Sequence, residues 1–429
     1  MFAPQFCFAI LTLIVILLLP PVAPAGSTFA AIGLSWTNDY YYDIVAFMAL
    51  SMWLLPILGG RRPQNSIQVK TIKTYLYLLI MGLLSVVVGV LNGNDHLFWA
   101  YRLFAYFIWV PFIIEVFSKK RRAVSFVRVF VVLTAISVAI ALSDHVRTYG
   151  FELHYLNTSY AFTLTCAFIL VLSLMTGAHL FKSPLVSYLL YSMFMLALII
   201  DPSRRMYIAV LFGHGLVALY SLKGVTSARR LLLKFIAALT FVLATAIYLG
   251  VFFDAGARLS SIHSLMDRAV LSGSLSRDRS LGYRSIAVSI GVEKIMEHPV
   301  LGIGTGYDEE LMGVLRDVGK DYKYEGGSPH NFWITSMRHF GVPVVILFVV
   351  LIAGLVKKVV RTSLGLWTAN TALEVIAVGA MVSFISQALI LAFTGYGSET
   401  TLGIWITLGC SLGAVVSAQV ARKTVKTKA

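Results

Sequence analysis

The chain has 429 residues, 58% of them hydrophobic and 13% charged, with a formal net charge of +15 and a mean hydropathy of +0.82. Charged residues make up about 25% of an ordinary soluble domain, so this composition excludes a soluble globular protein and points to a bilayer. The positive balance does not mark a nucleic-acid binder, because Lys and Arg fall between apolar runs rather than on one basic face.

A membrane helix needs about 20 apolar residues. Twelve runs approach that length, at 5–24, 43–60, 71–92, 97–118, 123–142, 159–181, 184–201, 206–222, 230–253, 341–357, 372–393 and 400–420. Ala23-Pro24-Ala25 resembles a signal-peptide cleavage site, but no basic residue precedes the apolar run, so a retained first helix is expected. Lys and Arg gather at Arg61, Arg62 and Lys70, at 119–122, at Lys182, at Lys223, Arg229 and Arg230, at Lys357, Lys358 and Arg361, and in the tail. Each of these groups follows an even-numbered run, whereas the alternate connections carry Asp39, Asp43, Asp95, Asp144, Glu152 and Glu399. Basic short loops stay cytoplasmic, so both termini are predicted inside and the odd connections outside. Cys7, Cys166 and Cys410 are scattered among the runs, which predicts neither a disulfide framework nor a cysteine metal site.

The one long connection is residues 254–340, between the ninth and tenth spans and on the predicted outer face. The domain plan is therefore nine spans in 1–253, an extracytoplasmic catalytic loop in 254–340, and three spans with a basic cytoplasmic tail in 341–429. Leu281, Tyr283, Ile286, Ile290, Ile295 and Met296 predict an amphipathic helix over 281–297, stopped by His298-Pro299. Gly302, Gly304 and Gly306 follow in "PVLGIGTGY". Without a following Lys-Ser/Thr or a strand-turn-helix frame they read as turn glycines, not a phosphate loop.

Several cations stand on the predicted outer side, against the positive-inside bias. Arg204 and Arg205 lie in "DPSRRM", Arg102 lies about one turn inside the outer end of the fourth span, Arg284 is early in the loop helix, and Arg338 comes just before the tenth span. The plain alternative has them reaching lipid headgroups or pairing with loop acids. The loop as a whole is no anion funnel, with ten Lys and Arg against eleven Asp and Glu in 254–340. Several guanidinium groups at one depth instead suit a diphosphate, since each planar fork donates two charge-assisted hydrogen bonds. In "GGSPHNFWITSMRHFG", residues 326–341, His330 beside Asn331 is a candidate general base, because imidazole exchanges a proton near neutral pH. Taken alone, such a histidine is more often a solvated loop residue. His339 is a competitor, but its approach to an apolar run favours packing or headgroup contact.

The run "YRSIAVSIGVEKIMEHPVLGIGTGY", followed at a distance by "SPHNFWITSMRHFGVP", resembles the outer loop of the O-antigen ligase and O-antigen polymerase family, bacterial enzymes that move glycans off undecaprenyl diphosphate. The matching pieces are Arg284, the "HPVLGIG" turn, the His330-Asn331 pair and Gly341, and "DPSRR" resembles the family's Ser-Arg element. The resemblance implies an all-α, GT-C-like integral membrane glycosyltransferase of about 12 transmembrane helices in the bacterial inner membrane. Its active site would face the periplasm, with no cofactor, no metal and no nucleotide sugar. It implies His330 as catalytic base, supported by Asn331, and Arg204 and Arg284 as diphosphate ligands, to which predicted depth adds Arg205, Arg102 and Arg338.

The implied partners are an undecaprenyl-diphosphate-linked glycan donor, a glycan or lipid A core acceptor, membrane lipids, and chain-length regulator or export proteins. Val344 departs from the ligase pattern, and the aromatic "NFWITSMRHFG" is closer to exopolysaccharide polymerases, which favours polymerisation over transfer to lipid A core. A transporter or flippase of lipid-linked oligosaccharide is the alternative from another class. It would call for related halves and mid-membrane ionisable residues, and neither is evident. A non-catalytic scaffold would not need the outer arginines.

Overall fold

The computed structural model describes residues 4–18, 40–58, 65–94, 98–149, 160–200, 204–222, 279–306, 331–366, 371–391 and 398–426. Among them all regular structure is helical. The helices are α1 Pro4–Leu18, α2 Tyr40–Leu58, α3 Ser66–Leu91, α4 Phe98–Ala105, α5 Trp109–Val116, α6 Lys120–Tyr149, α7 Tyr160–Thr176, α8 Pro184–Ile200 and α9 Arg204–Leu222. They continue with α10 Arg279–Glu297, α11 Phe332–Phe340, α12 Val342–Leu366, α13 Ala372–Ile390 and α14 Ser398–Lys426.

Five of these are long and apolar enough to cross a membrane: Ser66–Leu91, Lys120–Thr148, Val342–Arg361, Ala372–Ile390 and Thr401–Ala421. Shorter apolar helices occupy Pro4–Ile14, Asp43–Leu54, Tyr160–Thr176, Pro184–Leu198 and Ile208–Tyr220. The predicted fourth span is not one helix. A 3-10 turn at Tyr106–Ile108 separates α4 from α5. Pro111 has no N–H for the carbonyl of Phe107 and its ring crowds that carbonyl, which interrupts an α-helix just upstream. The predicted ninth span, 230–253, lies outside the described residues.

The helix ends obey local chemistry. Asn65 opens α3 with a capping box: its side-chain oxygen accepts from Ile67 N–H at 2.8 Å, and Gln68 Oε1 accepts from Asn65 N–H at 3.1 Å. Thr371 caps α13 with its side chain, which accepts from Glu374 N–H.

The core is built on α14, whose residues 401–417 are all buried, with α13, α7 and α5 packed on it. Small residues allow the close approach: a Cβ on Gly379 would stand 2.7 Å from Ile169 Cα, and one on Gly413 2.9 Å from Phe117 Cβ. Hydroxyls then tie α7, α13 and α14 together. Thr165 Oγ1 lies 2.9 Å from Ser383 Oγ and 2.8 Å from Thr407 Oγ1, and Gln387 Nε2 donates to Ser383 Oγ at 2.8 Å and to Ala161 O at 3.0 Å. In hydrocarbon such bonds join helices because the alternative is an unpaired polar group. The first helix is part of this bundle, with Phe8 edge-on to Phe112 at 5.7 Å.

Polar contacts sort the helix ends into two sets. Lys358 Nζ donates to Ser66 Oγ at 2.8 Å and Asn65 Nδ2 to Gln419 Oε1 at 2.8 Å, so the start of α3 shares one side with the ends of α12 and α14. The end of α3 shares the opposite side with the start of α12, as described below.

Candidate functional site

The amphipathic helix forms as α10, and His298-Pro299 ends it. Its apolar face rests on α11: a Cβ on Gly291 would stand 2.6 Å from Ile334 Cγ2. The chain then turns through 298–306 and threads between α11 and the end of α3. Ile303 N–H donates to Arg338 O at 2.8 Å, Gly304 N–H to His339 O at 3.1 Å, and Val342 N–H to Pro299 O at 2.9 Å. From α3, Asn92 Nδ2 and Asn94 Nδ2 donate to Ile303 O at 3.0 and 2.9 Å, Asn94 Nδ2 also reaches Thr305 O at 3.1 Å, and Ser85 O accepts from Thr305 N–H at 3.0 Å. The turn therefore pins three helices.

The glycines follow from that crowding. Gly302 and Gly304 have φ of 66° and 83°, the left-handed region that side chains avoid. A Cβ on Gly302 would stand 2.5 Å from Arg338 O, and one on Gly304 would overlap the backbone of Gly89. The two positions are turn glycines packed against main chain.

His339 is fully buried and Arg338 is 3% exposed. His339 Nδ1 lies 2.8 Å from Gly304 O and Arg338 Nη2 3.1 Å from His339 Nε2, while Ser85 Oγ donates to His339 O at 3.0 Å. A guanidinium has only donors, so Nε2 must accept and Nδ1 must carry the proton that goes to Gly304. His339 is thus held as one neutral tautomer. Burial, then the neighbouring Arg338 charge, depress its pKa from about 6.5 to about 3, with the Gly304 carbonyl pulling weakly the other way. The sequence expectation of packing for His339 holds.

Asn331 is the N-cap of α11, its side-chain oxygen accepting from Trp333 N–H at 3.0 Å and Ile334 N–H at 3.1 Å. His330, one position earlier, lies outside the described residues. Arg204 and Arg205 open α9, and Arg284 sits in the first half of α10; their side chains also lie outside what is described. Arg102 and Arg338 are described. Arg102 makes a two-pronged ion pair with Asp43, Nε to Oδ1 at 3.0 Å and Nη2 to Oδ2 at 2.7 Å, and Tyr106 adds its hydroxyl to Oδ1 at 2.7 Å. Its fork is engaged by an acid in the first turn of α2, a form of the plain alternative for such arginines, and a phosphate there would have to share it. The helix of Arg102 nevertheless joins the site, because Phe104 packs on Phe340 of α11 with ring centroids 4.6 Å apart.

Beneath the first turn of α11 is an apolar cavity of about 270 Å³, lined by Phe332, Trp333, Phe348, Ile352, Ile404 and Trp405 among others. Among the described residues His, Cys, Asp and Glu form no cluster of three or more that could hold a metal ion.

Residues 188–349 match the family model described as O-Antigen ligase. Over that region the chain is similar to the O-antigen ligase family. No curated protein matches the chain. The matched segment runs from α8 into the first turns of α12, so it contains Arg204, Arg284, the glycine turn and the His330-Asn331 pair. The expected resemblance to that family is met over the matched residues. Sequence reasoning missed Ser85 on α3 and Asn92 and Asn94 just after its end, the groups that hold the turn. The only signal for the two asparagines is the polar "NGND" directly after an apolar run, which reads as an ordinary connection.

Proposed function

We propose that the protein is a membrane glycosyltransferase that polymerises undecaprenyl-diphosphate-linked oligosaccharide repeat units into O-antigen or exopolysaccharide. The observation that carries this reading is the pinned turn. It ties α10, which bears Arg284, to α11, whose N-cap Asn331 directly follows His330 in sequence, and the family match spans both helices.

In this reading Arg204 and Arg284 bind the donor diphosphate and neutralise it as a leaving group. Arg205, Arg102 and Arg338 are further cations at that depth, Arg102 sharing its fork with Asp43 and Arg338 acting from α11 beside His339. His330 takes the proton from the acceptor hydroxyl as it attacks the anomeric carbon, with inversion there, and Asn331 holds the start of α11 beside it. Proton transfer by a positioned side chain contributes about 100-fold to 10,000-fold in rate. The apolar cavity under Trp333 offers a place for the isoprenoid next to its phosphates. The aromatic run 332–340 favours polymerisation over transfer to lipid A core.

The test is to incubate the purified protein in lipid nanodiscs with an undecaprenyl-diphosphate-linked repeat unit, with and without lipid A core. A ladder of lengthening glycan without lipid A core is the expected outcome. Product found only on lipid A core would make it a ligase, and no product in either tube would favour transport.

A further inference from the structure

The apolar stripe of α10 is wider than its contact with α11. Gly291 and Ile295 are buried. Val292 and Met296, on the adjoining flank, are 45% and 75% exposed, and the turn continues the same surface with Val300 at 61% and Leu301 at 57%. Successive helix positions are 100° apart, so Val292 and Met296 lie beside the buried stripe, while Glu293 and Glu297 occupy the next sector. Both carboxylates are exposed, and Lys294 pairs with Glu297 at 2.9 Å. A helix with buried, apolar-exposed and acidic sectors in sequence is suited to two solvents besides the protein itself.

The place of this patch says which solvent takes the apolar flank. Pro299 O accepts from Val342 N–H at 2.9 Å, and Gly341 packs against the Val300 carbonyl, so the patch adjoins the first residue of a membrane span. That span exposes Ile346 and Val350, and α3, which the same turn grips, exposes Val87 and Leu91. These are exposed apolar side chains of two helices long and apolar enough to cross a membrane. The exposed apolar residues of α10 and its turn therefore adjoin the exposed apolar surface of two helices of membrane-spanning length.

We propose that the second half of α10 and the 298–301 turn lie on the bilayer surface, with Val292, Met296, Val300 and Leu301 in the apolar layer and Glu293 and Glu297 in water. Burial of apolar side chains is favourable in proportion to the area removed from water, so four of them together form an anchor. Resting on the proposed function, the consequence is that this anchor fixes the depth of Arg284, two turns earlier on the helix, at the level of phosphates rather than of bulk water.

The test uses the full chain with Cys7→Ser, since Cys166 and Cys410 are buried. Single cysteines at Met296→Cys, Leu301→Cys and Glu293→Cys carry an environment-sensitive fluorophore in nanodiscs, with wild-type-like helix content required of each. Spin-labelled lipid is expected to quench positions 296 and 301 at least threefold more than 293, and aqueous iodide to do the reverse. Iodide reaching all three alike would overturn the proposal by placing the flank in water. Neither quencher reaching 296 and 301 would overturn it by placing protein there, and equal lipid quenching at all three would remove the two-solvent orientation. None of these readings needs turnover, so they stand apart from success or failure of the enzymatic assignment.

Discussion

His339 and Gly304 are joined by a 2.8 Å bond in which the imidazole Nδ1–H donates to the glycine carbonyl. Because the other ring nitrogen accepts from Arg338, one side chain holds a turn and orients a buried guanidinium. His339→Ala should lower stability by about 3 kcal/mol, from a lost buried hydrogen bond, a poorly satisfied charge and a cavity. His339→Asn, which can still donate toward Gly304, should lose about half as much. Thermal unfolding of the purified variants in one detergent measures both.

The same neutrality sets a pH dependence. The folded pKa of His339 is about 3 and the ordinary value about 6.5, so the unfolded chain takes up the proton first. Its contribution to stability is complete above about pH 6.5 and is lost progressively as pH falls toward 3. Melting temperatures from pH 8 to pH 4 should fall in the acid limb less steeply for His339→Asn than for the parent. A pH–rate profile with a limb near neutrality must then come from a group other than His339.

Two glycines separate conformation from contact. Gly93 ends α3 with φ of 72°, and an added Cβ there would meet nothing within 4 Å, whereas Gly304 at 83° faces the backbone of Gly89. Gly93→Ala should cost about 1 to 2 kcal/mol, the left-handed penalty alone. Gly304→Ala should exceed that clearly or prevent folding, because two main chains must separate. Denaturation midpoints of the pair, with membrane yields, check this.

Arg204→Lys and Arg284→Lys keep the charge but replace a planar fork with a point donor. Each should weaken donor binding by about 1.5 to 3 kcal/mol, the range for hydrogen bonds to charged groups. Titration with an undecaprenyl diphosphate analogue measures it. Normal affinity in both would remove forked recognition.

The parts of the fold governed by short-range pattern were legible in the chain. The α10 stripe, its stop at His298-Pro299 and the turn glycines follow from spacing and backbone chemistry within a few residues. The partners of the turn were not, because Asn92 and Asn94 lie roughly 210 positions from Ile303 and look like any polar residues after a span. Hydropathy also reads 97–118 as one run, since Pro111 changes the hydrogen-bond ladder without changing apolarity. Arg102 illustrates the same limit. Its side chain could meet a phosphate or a carboxylate, and the sequence pattern had no means of ranking Asp43 as the partner it finds.

The central claim is that His330 is the base of a glycan-transferring site built on the pinned turn. The most direct measurement is the single-turnover rate of purified His330→Ala on an undecaprenyl-diphosphate-linked repeat unit, with donor affinity and melting temperature measured alongside. The account predicts a loss of rate of about 100-fold or more with affinity and melting temperature near the parental values. Turnover at the parental rate would contradict it, leaving His330 as one residue of a re-entry segment into α11.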